Sequence, residues 1–523
     1  MHEIFANLNL RFQSLITQTP LPLNVDFPLI SKSIYEQRCV QLIQPNIQRI
    51  ISLNITKHFL DFFAIDLFSS LQSLTVQHIS SEKINSLLLQ LRSLTNFSSL
   101  SIQSEDYFQN ENILYSSIFH LTKLKFCKLK YQRGGDRVPL PLATSPCRIL
   151  EHLIIDSHCR LDQLISILSY LPQLKHLSCS ELFNADYDEI KLSLKLTTIH
   201  LKLVFVSFTT LKSLLSNVSS RLKILRIETT DNGFLYAEQW QQLIEQYMPL
   251  LQTFDFRYST SADVDNQERL IQGFSSNFWN ERNWFFDHYY HYLDDDLFYF
   301  HFFSIVPYKY DQFELHVFTK YHEPKSYEKN HINYARHVKI EDCLKRKNYT
   351  IQFPCVKELT LQSIDVKKNS WLTRTMKSII PLLQITKLNL YDQRITNKKL
   401  TTFLHALPNL ESLTLTNLSP STAKRPNMSR ITRVSLYEKC HIKHLEFLID
   451  VFPRVEHLKI SIDENHLEEI LQFLVLKAKY LFLLIIHFAH YEMIEVVKAI
   501  IQKNQLVNNY SVERIDGELY LWC

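Results

Sequence analysis

His288, His291 and Asp294 stand three residues apart inside the stretch RNWFFDHYYHYLDDDLFYFHFF, residues 282–303. On a helix that spacing puts two imidazoles and a carboxylate on one face, a set that suits a transition metal. No fourth ligand follows at a matching interval, and eleven of the twenty-two residues are aromatic, so no metal is expected. The rings suggest a second chemistry, stacking on single-stranded nucleic acid, which needs Lys or Arg interleaved with them. The stretch has one Arg, no Lys and four Asp, and that negative charge repels phosphate. Trp279, Trp284, Phe285 and Phe286 read instead as large anchors that bury the segment, with packing expected over a partner contact. The run LFYFHFFSIVPYKY reads as β-rich and ended by Pro307.

Glycine limits the remaining chemistry. Only Gly134, Gly135, Gly233, Gly273 and Gly517 occur in 523 residues. Loops that cradle phosphate need closely spaced glycines, and neither a dinucleotide fingerprint, a P-loop nor a G-x-S-x-G can be written from these five. Twenty-two histidines and many acids allow countless pairings, but no motif selects a Ser/His/Asp or Cys/His set. No catalytic residue, cofactor or metal ligand is therefore expected, and the protein is read as no enzyme. Nine scattered cysteines without a C-x-x-C suggest reduced thiols and a cytoplasmic, alternatively nuclear, setting. A net charge of +4 gives no bulk argument for nucleic acid or an anionic membrane, and neither partner is expected. The opening MHEIFANLNLRF lacks the basic-then-apolar order of a signal peptide. The most apolar run, YLFLLIIHFA, has half of the roughly 20 residues a membrane helix needs.

The elements that would position any site follow a repeat. The pattern apolar–Pro–x–apolar–x–x–apolar–x–apolar occurs as LPQLKHLSC, MPLLQTFDF, FPCVKELTL, LPNLESLTL and FPRVEHLKI. Without the proline it recurs as LQSLTV, LTKLKF, LEHLII, LKILRI, ITKLNL, ITRVSL and LFLLII, with weaker copies FSSLSI and LTTIHL. The second apolar residue falls at 74, 100, 124, 153, 177, 199, 225 and 254, then at 359, 388, 413, 434, 458 and 484. A period near 25 with L-x-x-L-x-L is the signature of a leucine-rich repeat. Alternate apolar residues point to one side of a short strand. LDQLISILSYL has the i, i+3, i+4, i+7 spacing of a one-faced helix, and the following proline stops it. Each unit is thus helix, stop, strand, and stacked units make an α/β solenoid with a curved parallel sheet lined by helices. The ninth repeat position is Ile79, Leu129, Ile364 and Leu418 rather than Asn, so no side-chain Asn ladder forms and irregular curvature with variable repeat length is expected.

The segment IFANLNLRFQSLI, through Phe5, Leu8, Asn9, Arg11, Phe12 and Leu15, resembles the last helix of an F-box, the motif that docks onto a Skp-type adaptor and a cullin. LDQLISILSYLPQLKHLSC, the segment 221–258, NFWNERNWFF and the ending ELYLWC resemble F-box proteins with degenerate leucine-rich repeats. The likeness runs with interruptions over nearly the whole chain. An F-box is about fifty residues with an early Leu-Pro motif, so only its tail is matched and the F-box is largely missing at the N-terminus. The resemblance implies adaptor docking through Phe5, Leu8, Phe12 and Leu15 only if the F-box is completed. The alternative for residues 1–19 is a capping helix of the solenoid.

The expected organisation is this remnant or cap over 1–19, repeat blocks over 20–256 and 351–523, and an aromatic-rich insert over 257–350. The expected function is non-enzymatic binding of a target protein through the exposed sheet positions. Lys175, His176, Lys357, Glu358, Glu411, Glu456 and His457 are the candidate partner surface. In the logic of the resembled family the solenoid holds a target for ubiquitin ligation; the alternative is an interaction scaffold with no ubiquitin link.

Overall fold

A computed structural model of the chain describes residues 22–26, 39–108, 111–133, 146–185, 194–261, 270–294, 297–306, 312–316, 335–341, 353–362, 376–377, 379–391, 403–418, 428–487, 493–506, 510–515 and 518–522, with 141, 192 and 400 singly. Phe5, Leu8, Phe12 and Leu15 lie outside the described residues. The chain forms two units, one ending at Pro307 and the other running over Tyr308–Cys523.

The first unit is built on β1 (Leu23–Asp26), β2 (Ile50–Thr56), β3 (Ser73–Ile79), β4 (Ser99–Phe108), β5 (Phe126–Arg133), β6 (His152–Arg160), β7 (His176–Phe183), β8 (Thr198–Val204), β9 (Ile224–Thr229) and β10 (Thr253–Ser261). They pair in chain order, every one parallel to the last, and β11 (Phe285–Asp294) and β12 (Leu297–Val306) then add an antiparallel hairpin in the order β10-β12-β11. Helices α1 (Ser81–Leu91), α2 (Glu111–Phe119), α3 (Leu161–Ser169), α4 (Phe208–Val218) and α5 (Ala237–Tyr247) return the chain between strands. Their apolar residues, such as Leu211, Leu214, Leu215 and Val218 of α4, are buried. Ser207 caps α4 by accepting the Thr210 N–H at 3.2 Å.

The second unit repeats this plan. Strands β13 (Gln312–His316), β14 (His337–Glu341), β15 (Glu358–Gln362), β16 (Lys387–Tyr391), β17 (Ser412–Leu415), β18 (Arg433–Cys440), β19 (His457–Ile462) and β20 (Leu483–His487) form a parallel ladder in chain order. The antiparallel hairpin β21 (Ser511–Ile515) and β22 (Glu518–Trp522) closes it in the order β20-β22-β21. In each unit a helix precedes the hairpin: the short α6 (Asn277–Glu281) in the first, and the longer α9 (Met493–Asn504) after α7 (Ile442–Val451) and α8 (Leu467–Lys477) in the second. This is the α/β leucine-rich-repeat solenoid read from the sequence, built twice. No helix among the described residues is long and apolar enough to cross a membrane.

Register shows why the period works and where the sequence reading slipped. Leu74, Leu100, Leu153, Leu177, Ile199, Leu225 and Phe254 occupy one row, all buried, and Leu359, Leu388, Leu413, Val434, Leu458 and Leu484 do the same in the second unit. In the fifth rung the row holds Cys127, paired with Leu100 and Leu153, while Leu124 is buried in the turn before the strand. The LTKLKF reading is therefore three residues early, because a small apolar cysteine stands where a leucine is usual. Burial also pushes the Cys127 thiol up, which keeps it unreactive. Two rungs precede the first hexad read from the sequence, at Leu74: Val25 pairs Leu53, and Leu53 pairs Leu74. Two more, at Phe313 and Val338, lead into Leu359.

A backbone device does the stacking that the missing Asn ladder does elsewhere. One carbonyl at each strand entrance accepts two consecutive amides from the next rung. Glu151 O accepts Lys175 N at 2.8 Å and His176 N at 3.0 Å, and Lys175 O accepts Thr197 N and Thr198 N. In the second unit Lys357 O accepts Thr386 N and Lys387 N, Glu411 O accepts Thr432 N and Arg433 N, and Glu456 O accepts Phe482 N and Leu483 N. Both lone pairs of each carbonyl are used, so no side chain is needed to satisfy them. Rung lengths vary all the same, from 21 residues between Leu53 and Leu74 to 29 between Leu225 and Phe254.

The aromatic stretch is the closing hairpin of the first ladder. Trp279 is fully buried and Trp284 is 2% exposed. Trp279 lies 5.5 Å from Phe254, 4.9 Å from Phe274 and 5.4 Å from Phe286, ring centre to ring centre. Phe254 belongs to the last parallel strand, so these rings cover the apolar end that an open repeat array would leave in water.

Candidate functional site

Alternation decides which residues line the open face of each sheet. If Leu359 and Leu361 point into the core, Glu358, Thr360 and Gln362 point out. Repeated over six neighbouring rungs, this produces a groove of about 620 Å³ in the second unit, floored by β14 to β19. Its middle is lined by Ser412, Thr414 and Ser435 and its sides by His337, Lys339, Glu358, Thr360, Gln362, Lys387, Asn389, Tyr391, Tyr437 and Lys459.

Two polar clusters frame it. In the first, Glu358 accepts from Lys387 Nζ at 2.8 Å and from Asn389 Nδ2 at 2.8 Å, with His337 Nε2 at 3.9 Å. Asn389 also donates to Thr360 Oγ1 at 3.0 Å, and His337 Nε2 lies 2.8 Å from the same oxygen. Burial pushes the Glu358 carboxyl up, but the bonds from Lys387 and Asn389 and the field of His337 and Lys387 outweigh it, and the group sits below the usual carboxylate range. In the second cluster, Glu518 from the closing hairpin accepts from Lys459, from His487 at 2.7 Å and from Tyr520 at 3.5 Å. Tyr391 and Tyr437 stand between, ring centres 6.3 Å apart, and Lys459 Nζ lies 5.7 Å above the Tyr437 ring. Burial, the neighbouring Tyr437 and Glu358 raise the Tyr391 hydroxyl above its ordinary value, so it remains a donor.

Of the surface residues picked from the sequence, Glu358 lines this groove. Lys357, Glu411 and Glu456 occupy the spine position: their carbonyls carry the stacking, and their side chains flank the strand entrance. His457 is half-buried against Phe482, ring centres 4.7 Å apart, and burial with the nearby Arg433 lowers its pKa to about 4. Lys175 and His176 belong to the first unit, where Lys175 pairs with Glu151 at 2.9 Å and the His176 ring lies tilted against that of His152, ring centres 5.7 Å apart. Burial, with His152, His200 and Arg226 nearby, lowers the His176 pKa. Among the lining residues that were missed, Lys387 shares the row of Glu358, whereas Thr360, Asn389, Thr414, Ser435 and Lys459 sit one place, and Gln362, Tyr391 and Tyr437 three places, past the second apolar residue of their strands. The signal was present in the hexads, since alternation continues past the second apolar residue. Glu518 and His487 could not be found that way, because they meet only when β22 turns back antiparallel to β20.

The metal spacing considered for His288, His291 and Asp294 presumes a helix, and the segment is β11. Successive strand residues alternate between faces, so an interval of three does not gather ligands. The side chains of His291 and Asp294 lie outside the described residues, while His288 packs 5.7 Å from the Phe300 ring.

His457 gives a pH test. Its folded pKa of about 4 lies below the ordinary 6.5, so the unfolded chain takes up the proton first. Its contribution is complete above about pH 6.5 and is lost as pH falls through about 4, on the order of 2 kcal/mol after discounting for partial exposure. The denaturant midpoint of wild type should fall relative to that of His457→Phe as pH drops from about 6.5 to about 4, with the variant showing the flatter profile.

A scan against protein-family models and a search of curated proteins both find no match. Among solved structures, the chain is similar to one in the crystal structure of a TLR13–ssRNA13 complex, at 14% identity and a TM-score of 0.24, over 79% of this chain and 48% of that chain. This chain thus spans about half the length of that one.

Proposed function

We propose that the protein is a non-enzymatic leucine-rich-repeat protein that holds a partner protein on the open face of its second sheet. The observation that carries this reading is the groove over β14 to β19, whose polar side chains are fixed by hydrogen bonds on a rigid ladder. A pre-ordered polar surface lowers the entropy lost on association. Its chemistry suits contact better than catalysis. Thr360 and Glu358 both approach the same nitrogen of His337, whereas a nucleophile–base–acid relay needs the carboxylate on the opposite ring nitrogen. The Thr360 hydroxyl is also already engaged by His337 and Asn389.

The finer reading is substrate recognition for a cullin-type ubiquitin ligase. It rests on the resemblance carried by Phe5, Leu8, Phe12 and Leu15, and co-purification of a Skp-type adaptor with the folded chain tests it. Failure to retain the adaptor leaves the scaffold reading with no ubiquitin link. The contact face itself is tested by Thr414→Trp, which fills the groove floor, against Leu476→Trp, placed on an exposed position of α8. Partners recovered with wild type should be lost with the first variant and kept with the second. Equal recovery with both would remove the second sheet from the account.

A further inference from the structure

We infer that the groove of the second unit takes an acidic peptide segment, with one carboxylate at Lys387 and another at Lys459; this rests on the proposed contact face and adds the chemistry of its ligand. The donors and acceptors in the groove are unequally used. Glu358 already accepts from Lys387 and Asn389, and Glu518 already accepts from Lys459, His487 and Tyr520. An ammonium has three N–H groups, so each lysine keeps donors after serving its glutamate. The glutamates therefore aim the two lysines without consuming them. Between the clusters lie the hydroxyls of Ser412, Thr414 and Ser435, none of which makes a side-chain hydrogen bond among the described residues. Thr414 is buried but lines the groove, between Asn389 and Ser435 in the same row. What remains open in the groove is a row of donors with a cation at each end.

Spacing sets the ligand. Lys387 lies on β16 and Lys459 on β19, three strand steps apart and two residues further along the strand, a diagonal of about 16 Å at about 4.8 Å per step and about 3.3 Å per residue. An extended peptide covers about 13 Å in four residues and about 16 Å in five. Two Asp or Glu residues four or five apart match that span, with small polar residues over the hydroxyl floor. A single-stranded nucleic acid fits less well, because it carries charge on every unit and would set phosphates against Glu358 and Glu518. A peptide places its charges only where the lysines are.

The test is fluorescence anisotropy of the full chain with three probes: labelled Ser/Ala-rich peptides bearing two glutamates four or five apart, the same peptides with lysines in their place, and an oligouridylate. The glutamate peptides should bind, lose affinity as salt rises, and bind at least roughly tenfold more weakly to Lys387→Gln/Lys459→Gln, since charge-assisted bonds at both ends are gone. An unchanged thermal melt of that variant separates lost contact from lost fold. No glutamate-peptide binding, equal affinity for acidic and basic peptides, tighter binding of oligouridylate, or no effect of the double variant overturns the inference. If any of these occurs while Thr414→Trp still abolishes partner recovery, the contact face stands and only the acidic chemistry fails.

Discussion

Trp279→Ala is expected to destabilise the first unit by about 4 kcal/mol, the upper range for truncating a buried aromatic. The residue is fully buried among Phe254, Phe274, Phe278, Trp284 and Phe286. Those rings come from the last parallel strand, the short helix with the turn before it, and the start of the closing hairpin, so the cavity would open at the joint between ladder and cap. The indole N–H of Trp279 has no hydrogen-bond partner among the described residues, whereas that of Trp284 donates to Gln252 O at 3.2 Å. Trp279→Phe should accordingly cost only about 1 kcal/mol, because it also removes a buried unsatisfied donor. Urea denaturation of the three proteins checks the order. An alanine variant with unchanged stability would mean that Trp279 faces outward.

Leu388→Ala is expected to cost about 3 kcal/mol, while its neighbour Lys387→Ala should stay within about 1 kcal/mol. Leu388 is fully buried in the row between Leu359 and Leu413, and its removal leaves a hole that two flanking strands cannot close. Lys387 points to the open face, and Glu358 keeps its bond from Asn389 when the lysine is gone. The contrast between adjacent residues reads out the alternation directly. Similar losses at both positions would contradict the register of β16.

The repeat was legible because burial demands it: one apolar row per sheet recurs with each turn of the chain, and most rungs use Leu, Ile or Val there. It failed where size or spacing departed from that habit. Cys127 hid a rung behind Leu124, and IISLNI, residues 50–55, matches the hexad but went unread. The aromatic stretch drew suspicion as an insert because a closing hairpin has no repeat period; its packing role follows from where β10 ends, which no local pattern encodes. Residues 257–350 hold both this hairpin and the first two rungs of the second ladder. The site was legible only in part. Glu358 sits beside a hexad and was found, whereas Lys459 gains its meaning from Glu518, 59 residues later in the chain and brought beside it by the antiparallel return of β22. Lys357, Glu411 and Glu456 looked like surface because their side chains are polar; their carbonyls in the stacking spine are invisible to side-chain reasoning.

The central claim is that a partner lies on the open face of the second sheet, and site-specific photo-crosslinking measures this most directly. A photoreactive residue at Ser435, in the groove floor, is compared with one at Leu476, 74% exposed on α8. The account predicts a partner crosslink from Ser435 that is competed by excess unlabelled protein, and none from Leu476. A crosslink from Leu476 with none from Ser435 would place the partner on the helical side and contradict it.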